Sequence, residues 1–244
     1  MIPYHGTPVN PEWDLVRILA GRHAMISFAH PYQLPIIADV CQSFALDNGA
    51  FSAWRSGKPI IDWKPYYAWV REWMKHPGFD WALIPDVIDG TEKDNDVQIA
   101  IWPLGTRGVP IWHLHESLQK LERLCEFWPR VAFGSSGEFA AIGTKKWWGR
   151  MTEAMEIACP FGQAEAKIHG LRMLNPEIFS RFPFSSADST NVARNIGIDR
   201  ARRGTYQPPN KAVRGLVLAE RIESMQSAPT WDRCAIQEPL IFGV

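Results

Sequence analysis

Short apolar runs recur along this chain, each closing on small polar or acidic residues, and the stretches between them carry apolar residues every three or four positions. The runs at 24–28, 43–47, 81–85, 109–113, 130–133, 167–170 and 184–187 predict strands. An eighth is less plain, and 240–242 is the best segment for it. Helical spacing predicts helices over 11–19, 34–41, 62–75, 91–104, 116–128, 145–158, 176–181 and 211–226. In 62–75 the residues Trp63, Tyr66, Tyr67, Val70 and Met74 share one face, and His76-Pro77-Gly78 stops the run. Residues 191–210 are polar and Arg-rich, contain Pro208-Pro209, and read as a loop. Strands alternating with helices over short connections specify a parallel sheet with crossover helices. About seven such units favour closure into a (β/α)8 TIM barrel, an α/β fold whose site lies at the C-terminal ends of the strands.

The 244 residues suit one such barrel as a single domain, with no linker or repeat to divide it. Hydrophobic residues make up 46%, which fits a globular chain, and no apolar run approaches the roughly 20 residues that span a bilayer. The start, Met1-Ile2-Pro3-Tyr4-His5-Gly6, lacks the basic and apolar regions of an export signal, so a cytoplasmic protein is expected. Basic and acidic residues balance at 26 each, which argues against non-specific coating of nucleic acid but allows a local basic patch. Cys41, Cys125, Cys159 and Cys234 are widely spaced and form neither a zinc pattern nor a disulfide framework.

Asp47, Asp86 and Asp188 each follow an apolar run, so a barrel would point all three into one bowl. A single Asp in that position is usually a cap or turn residue, and for Asp86 that reading competes strongly. Three on three strands, two of them in the settings Asp47-Asn48-Gly49-Ala50-Phe51 and Ser185-Ser186-Ala187-Asp188-Ser189-Thr190, favour a site. Paired carboxylates are the apparatus for breaking a glycosidic bond: one attacks or stabilises the anomeric carbon and the other moves the leaving group's proton. Gly134-Ser135-Ser136-Gly137-Glu138 offers backbone N–H groups for a phosphate or a flat ligand, without the Lys of a nucleotide-binding P-loop; a tight strand-to-helix turn explains it equally well. His113 and His115 share a strand face, as hydrogen-bonding groups or as satisfied rim histidines rather than a metal pair. Phe51 is a stacking platform or ordinary core. Lys145, Lys146, Arg194, Arg202, Arg203 and Lys211 belong to the densest cationic stretches, which are either solvated faces or a track for a phosphate backbone.

Together these residues resemble the tRNA-guanine transglycosylase superfamily, (β/α)8 barrels that exchange guanine for a 7-deazaguanine on an intact sugar. The family's Asp-Ser-Gly-Gly-(Phe/Tyr)-Gln motif is similar to Asp47-Asn48-Gly49-Ala50-Phe51-Ser52, its guanine-reading Asp to Ile84-Pro85-Asp86, and its Gly-Glu segment to Gly134–Glu138. The resemblance implies Asp188 as nucleophile and Asp47 as general acid/base. Asp86, Asn48, the Gly134–Gly137 backbone, and His113 or His115 in place of a family Gln would read the base, and Phe51 with His169 and Gly170 would sandwich it. The resemblance runs from about residue 43 to 190. The family's zinc site of three Cys and a His after the nucleophile is missing, since only Cys234 follows Asp188, and the chain is shorter than tRNA-acting members. Both features, with His5-Gly6-Thr7-Pro8 and Ser27-Phe28-Ala29-His30-Pro31, look like the DNA-modifying, DpdA-like branch of phages and bacteria. The implied activity is exchange of guanine in DNA for a preQ0-like base through a covalent Asp-glycosyl intermediate, with no cofactor and no metal. The implied partners are DNA and the free base, with a partner ATPase or a homodimer left open and no membrane. The alternatives are tRNA as substrate, a barrel N-glycosidase that uses water, or a non-catalytic barrel that recognises a base.

Overall fold

The computed structural model describes residues 1–194 and 208–233. Its centre is a ring of parallel strands: β1 (Ile2–Gly6), β2 (His23–Ser27), β3 (Ser43–Asp47), β4 (Phe79–Leu83), β5 (Gly108–Val109), β6 (Ile111–His113), β7 (Arg130–Gly134), β8 (Lys167–Gly170) and β9 (Ser186–Ser189). The spatial order is β5-β4-β3-β2-β1-β9-β8-β7-β6. Pro110, which has no N–H to donate, separates β5 from β6. β5 pairs with β4, β6 pairs with β7, and Pro110 still accepts from Ala132 N at 2.9 Å. The two pieces are therefore one stave, and eight staves make the predicted TIM barrel.

The count is as expected, but its register along the chain is not. The first stave is Ile2–Gly6, where Pro3 and Gly6 hide the strand from pattern reading. The run that predicts a strand at 184–187 is displaced to Ser186–Ser189, so Asp188 lies within the stave rather than past its end. β9 pairs with β1, Tyr4 opposite Asp188, and completes the ring. The segment 240–242, expected to supply the eighth strand, lies outside the described residues, and so do residues 195–207 of the expected 191–210 loop; that loop begins with a helical turn, α9 (Asn191–Arg194).

The staves alternate as a barrel requires. Tyr4, Met25, Ala45, Trp81, Leu83, Val109, Ile111 and Ala132 pack inside, and residues such as Phe44, Leu46 and Phe133 face the helices. The outer layer contains α1 (Glu12–Leu19), α2 (Leu34–Val40), α3 (Ala50–Arg55), α4 (Lys64–Trp73), α5 (Glu92–Ala100), α6 (Leu118–Phe127), α7 (Lys145–Ala158), α8 (Pro176–Phe179) and α10 (Lys211–Glu223). Side-chain caps fix several helix starts. Thr91 and Asp94 form a reciprocal capping box on α5, and Ser117, Thr144 and Asn210 accept from the first-turn amides of α6, α7 and α10. Trp112 and Trp147 are fully buried between ring and helices. No described helix is long and apolar enough to cross a membrane.

Candidate active site

Period-two alternation carries three side chains to the C-terminal mouth: Asp47 beyond Ala45, His113 beyond Ile111, and Asp188 beyond Ser186. Asp47 is partly buried and accepts from the Ser27 hydroxyl and the Gly49 N–H. Burial, reinforced by the charges of Asp188 and Asp86, raises its carboxyl to about 6. Gly49 makes the following turn. Its φ is +77°, and a Cβ there would meet Ala29 N at 2.8 Å. Asn48 folds back across the mouth: Oδ1 accepts from Ala50 N at 2.8 Å, and Nδ2 donates to Ile84 O and Asp86 Oδ1, both at 2.9 Å.

Asp86 is buried, with its second oxygen 3.0 Å from His113 Nε2. That contact is close but poorly aligned, and both ring nitrogens of buried His113 lack a well-directed hydrogen bond. Gly134 leaves the space for this ring, since a Cβ there would sit 3.1 Å from His113 Nδ1. His115 stacks on His113 at 5.7 Å between centroids, with Nδ1 2.7 Å from Ser136 Oγ. Gly137, φ +54°, backs onto His115. The hydroxyl of Ser135 is already engaged, accepting from Trp147 Nε1 at 2.9 Å. The Gly134–Gly137 turn thus shapes the histidine pair.

Asp188 is 8% exposed. Its Oδ1 accepts from Arg172 N at 2.9 Å and lies 3.3 Å from His169 Nε2. Arg172 is the residue the sequence reading missed. It has φ +60°, its Nη2 donates to Ser135 O at 2.8 Å, and its guanidinium lies 4.8 Å above the Phe51 ring. A non-glycine residue held in the left-handed region beside candidate chemistry is a known signature of functional strain. The only sequence signal was a lone basic residue in the run Gly170-Leu171-Arg172-Met173-Leu174. Glu116 was also missed as a site residue, because its position suggested only a helix start. It is buried, accepts from His113 N at 2.9 Å, and is held by Asn95 at 3.0 Å and Lys120 at 2.9 Å.

Several expected roles need correction. His169 does not form a platform for a base: it is fully buried inside the barrel, 4.7 Å from the Trp81 ring and 6.0 Å from Tyr4. Gly170 faces the outer layer, where a Cβ would meet Phe184 at 2.7 Å. Phe51 is 40% exposed, as a platform requires, but one face carries Arg172.

The helices that follow β7 and β9 start at the same mouth, which places Lys145, Lys146, Arg194 and Lys211 around it. Lys145 and Arg194 are exposed. Lys146 pairs with Glu138, and Lys211 donates to Asn10 O at 3.0 Å. Arg202 and Arg203 lie outside the described residues. Among the described residues, no three His, Cys, Asp or Glu side chains converge as a metal site.

Neither a protein-family model nor a curated protein matches this chain. Among solved structures, it is similar to a mutant tryptophan synthase alpha-subunit from the hyperthermophile Pyrococcus furiosus. The two are 10% identical over 92% of this chain and 96% of that one, with a TM-score of 0.50. A second mutant structure of that subunit matches at 11% identity over 91% and 95%, with a TM-score of 0.48. Identity this low bears on the fold alone, and the fold is the TIM barrel.

Proposed function

We propose that this barrel exchanges guanine in DNA for a free 7-deazaguanine base such as preQ0, with Asp188 as nucleophile and Asp47 as proton carrier. One observation carries the reading. Two inward carboxylates share the mouth, Asp47 with a carboxyl that burial raises to about 6 and Asp188 with Oδ1 held by the Arg172 N–H. A carboxyl that keeps its proton toward neutral pH, at the same mouth as a second carboxylate, is the apparatus of an acid/base and nucleophile pair.

The guanine nucleotide leaves the base stack, because its glycosidic carbon is inaccessible in a duplex. A carboxylate oxygen of Asp188 attacks C1′, the C1′–N bond breaks, and its electron pair stays with guanine, which takes the proton from Asp47. The incoming base then gives a proton to Asp47 and attacks C1′, and the Asp188–C1′ bond breaks to restore the carboxylate. Two inversions retain configuration. A carboxyl near 6 serves both half-reactions around neutral pH. Asp86, His113 and the Asn48 loop form the polar edge that would read the base. The cations at the mouth support a polyanionic substrate. The preference for DNA over tRNA rests on the resemblance of His5-Gly6-Thr7-Pro8 and Ser27-Phe28-Ala29-His30-Pro31 to the DNA-modifying branch.

Incubation with preQ0 and either DNA or tRNA, followed by mass spectrometry of the nucleosides, tests this. The expected product is the deazaguanine nucleoside in DNA, with guanine released. Incorporation only into tRNA would move the substrate, abasic DNA would make the enzyme a hydrolase, and no change in either nucleic acid would overturn the reading. A covalent adduct in denaturing gels should be lost in Asp188→Ala; an adduct that survives there would remove Asp188 as nucleophile.

A further inference from the structure

The interior of most small barrels is apolar, but here a polar file runs through it from one end to the other. Arg130, at the opening of β7, donates from Nη1 to Ser186 Oγ at 2.8 Å and to Ser185 Oγ at 3.2 Å. Ser186 Oγ is 2.9 Å from His169 Nδ1. His169 Nε2 lies 3.3 Å from Asp188 Oδ1. His169 and Ser186 are both fully buried. The Arg130 guanidinium also lies 5.4 Å above the Trp81 ring, whose indole N–H bonds Tyr4 Oη, which in turn donates to Asp80. The file is therefore locked on both sides.

Proton bookkeeping offers one direction that gives every member of the file a partner. Arg130 has only donors. Ser186 accepts from it, which leaves the hydroxyl proton free, and His169 Nδ1 is the acceptor within reach. An Nδ1 that accepts leaves the ring proton on Nε2. That Nε2 has no well-directed partner among the described residues and is buried against Asp188. Asp188 Oδ1, 3.3 Å away, is the acceptor that this N–H faces.

We propose that His169 is a positioning residue for Asp188, held by Ser186 and Arg130 as the Nε2–H tautomer so that its N–H faces Oδ1. This rests on Asp188 being the reacting carboxylate. In the glycosyl-enzyme one Asp188 oxygen is bonded to C1′ and the other is an ester carbonyl. When the incoming base attacks, the bond electrons return to the carboxylate. Oδ1, lying between the His169 N–H and the Arg172 N–H, then receives two hydrogen bonds as the charge appears. The pair acts as an oxyanion hole for a side-chain leaving group.

Two measurements test the assignment separately from the activity. In 15N-histidine-labelled protein, His169 should show an unprotonated Nδ1 and a protonated Nε2, and the Nε2 resonance should move in Asp188→Asn. An Nδ1–H tautomer, an imidazolium, or an Nε2 signal indifferent to Asp188→Asn overturns the proposal, whatever the enzyme's substrate. In base exchange, His169→Leu should lower kcat by about tenfold to a thousandfold with the KM for the free base unchanged. His169→Gln, which keeps an N–H near the same position, should recover most of that loss. A folded His169→Leu protein within twofold of wild type, or a Gln variant as slow as the Leu variant, overturns it as well. Absence of exchange in the wild type would remove the proposed reaction, while the resonance experiment still decides the tautomer and its contact.

Discussion

Asn48 ties the end of β3 to the end of β4 by donating to Asp86 Oδ1 at 2.9 Å while holding Ile84 O at the same distance. Both donors come from one buried amide, and neither can be replaced by a carboxylate. Asn48→Ala should cost about 1–3 kcal/mol, the usual loss when buried acceptors are left unsatisfied. Asn48→Asp should cost more near neutral pH, because it sets a second charge against Asp86, and should recover toward the alanine value in acid. Urea unfolding of the three proteins at two pH values checks both statements.

The raised carboxyl of Asp47 fixes the sign of one pH effect. The folded protein holds this proton to about 6, whereas the free carboxyl releases it at 3.8. Between those values the folded state binds more protons, so stability falls as pH rises through the window and the deficit is complete above it. Asp47→Asn, which cannot ionise, should therefore be more stable than wild type above the window, by up to about 3 kcal/mol, and about equal to it below. Unfolding free energies of both proteins at about pH 3 and about pH 8 give the comparison. A variant that gains stability equally at both ends would show that the carboxyl is not desolvated.

Arg172 combines a strained backbone with two useful contacts. The left-handed conformation costs a non-glycine residue about 1–2 kcal/mol. Arg172→Gly should therefore be more stable than Arg172→Ala by about that amount, although both lose the guanidinium over Phe51 and the bond to Ser135 O. Both should change the KM for the free base, because one face of Phe51 is uncovered. Thermal unfolding and saturation kinetics separate the two effects.

Glu116 supports His113 through a buried ion pair with Lys120. Glu116→Ala leaves an ammonium that is 1% exposed with Asp96, 3.0 Å away, as its remaining carboxylate, and should cost about 1–3 kcal/mol. Adding Lys120→Met should restore much of that loss, since removing both charges removes the desolvation cost. Failure of the second change to rescue would mean that the His113 N–H bond, rather than the ion pair, carries the stability.

The strand–helix rhythm made the barrel legible, and the small polar residues that end each run made its mouth legible. Asp47, Asp86 and Asp188 were found because each follows an apolar run, and His113 because it shares a strand face with His115. What escaped was whatever depends on the third dimension. His169 looks like any strand residue next to a glycine, and only the closed ring shows that it points inward beneath Asp188. Arg172 reaches Asp188 through a backbone N–H, which any residue type carries, from a conformation that the arginine side chain does not announce. β1 was missed because burial on both faces and a proline remove the alternation that marks a strand. The shift of the last stave from 184–187 to Ser186–Ser189 has the same origin: Phe184 is apolar because it packs outside the ring, not because it begins the strand.

The pairing of Ile2 with Ser186 joins segments that are far apart in the chain. Such a contact forms late, because a long loop must be closed before any of its bonds are made. Asp47 belongs to a stave whose neighbours can assemble locally, but Asp188 belongs to the stave that completes the ring. Until the ring is complete, Asp188 and Asp47, the proposed nucleophile and proton carrier, do not face each other. A partly folded chain would have helices and no chemistry, and on refolding base exchange should return after the helical circular dichroism signal. The proposed exchange would serve as a report that the circle is closed.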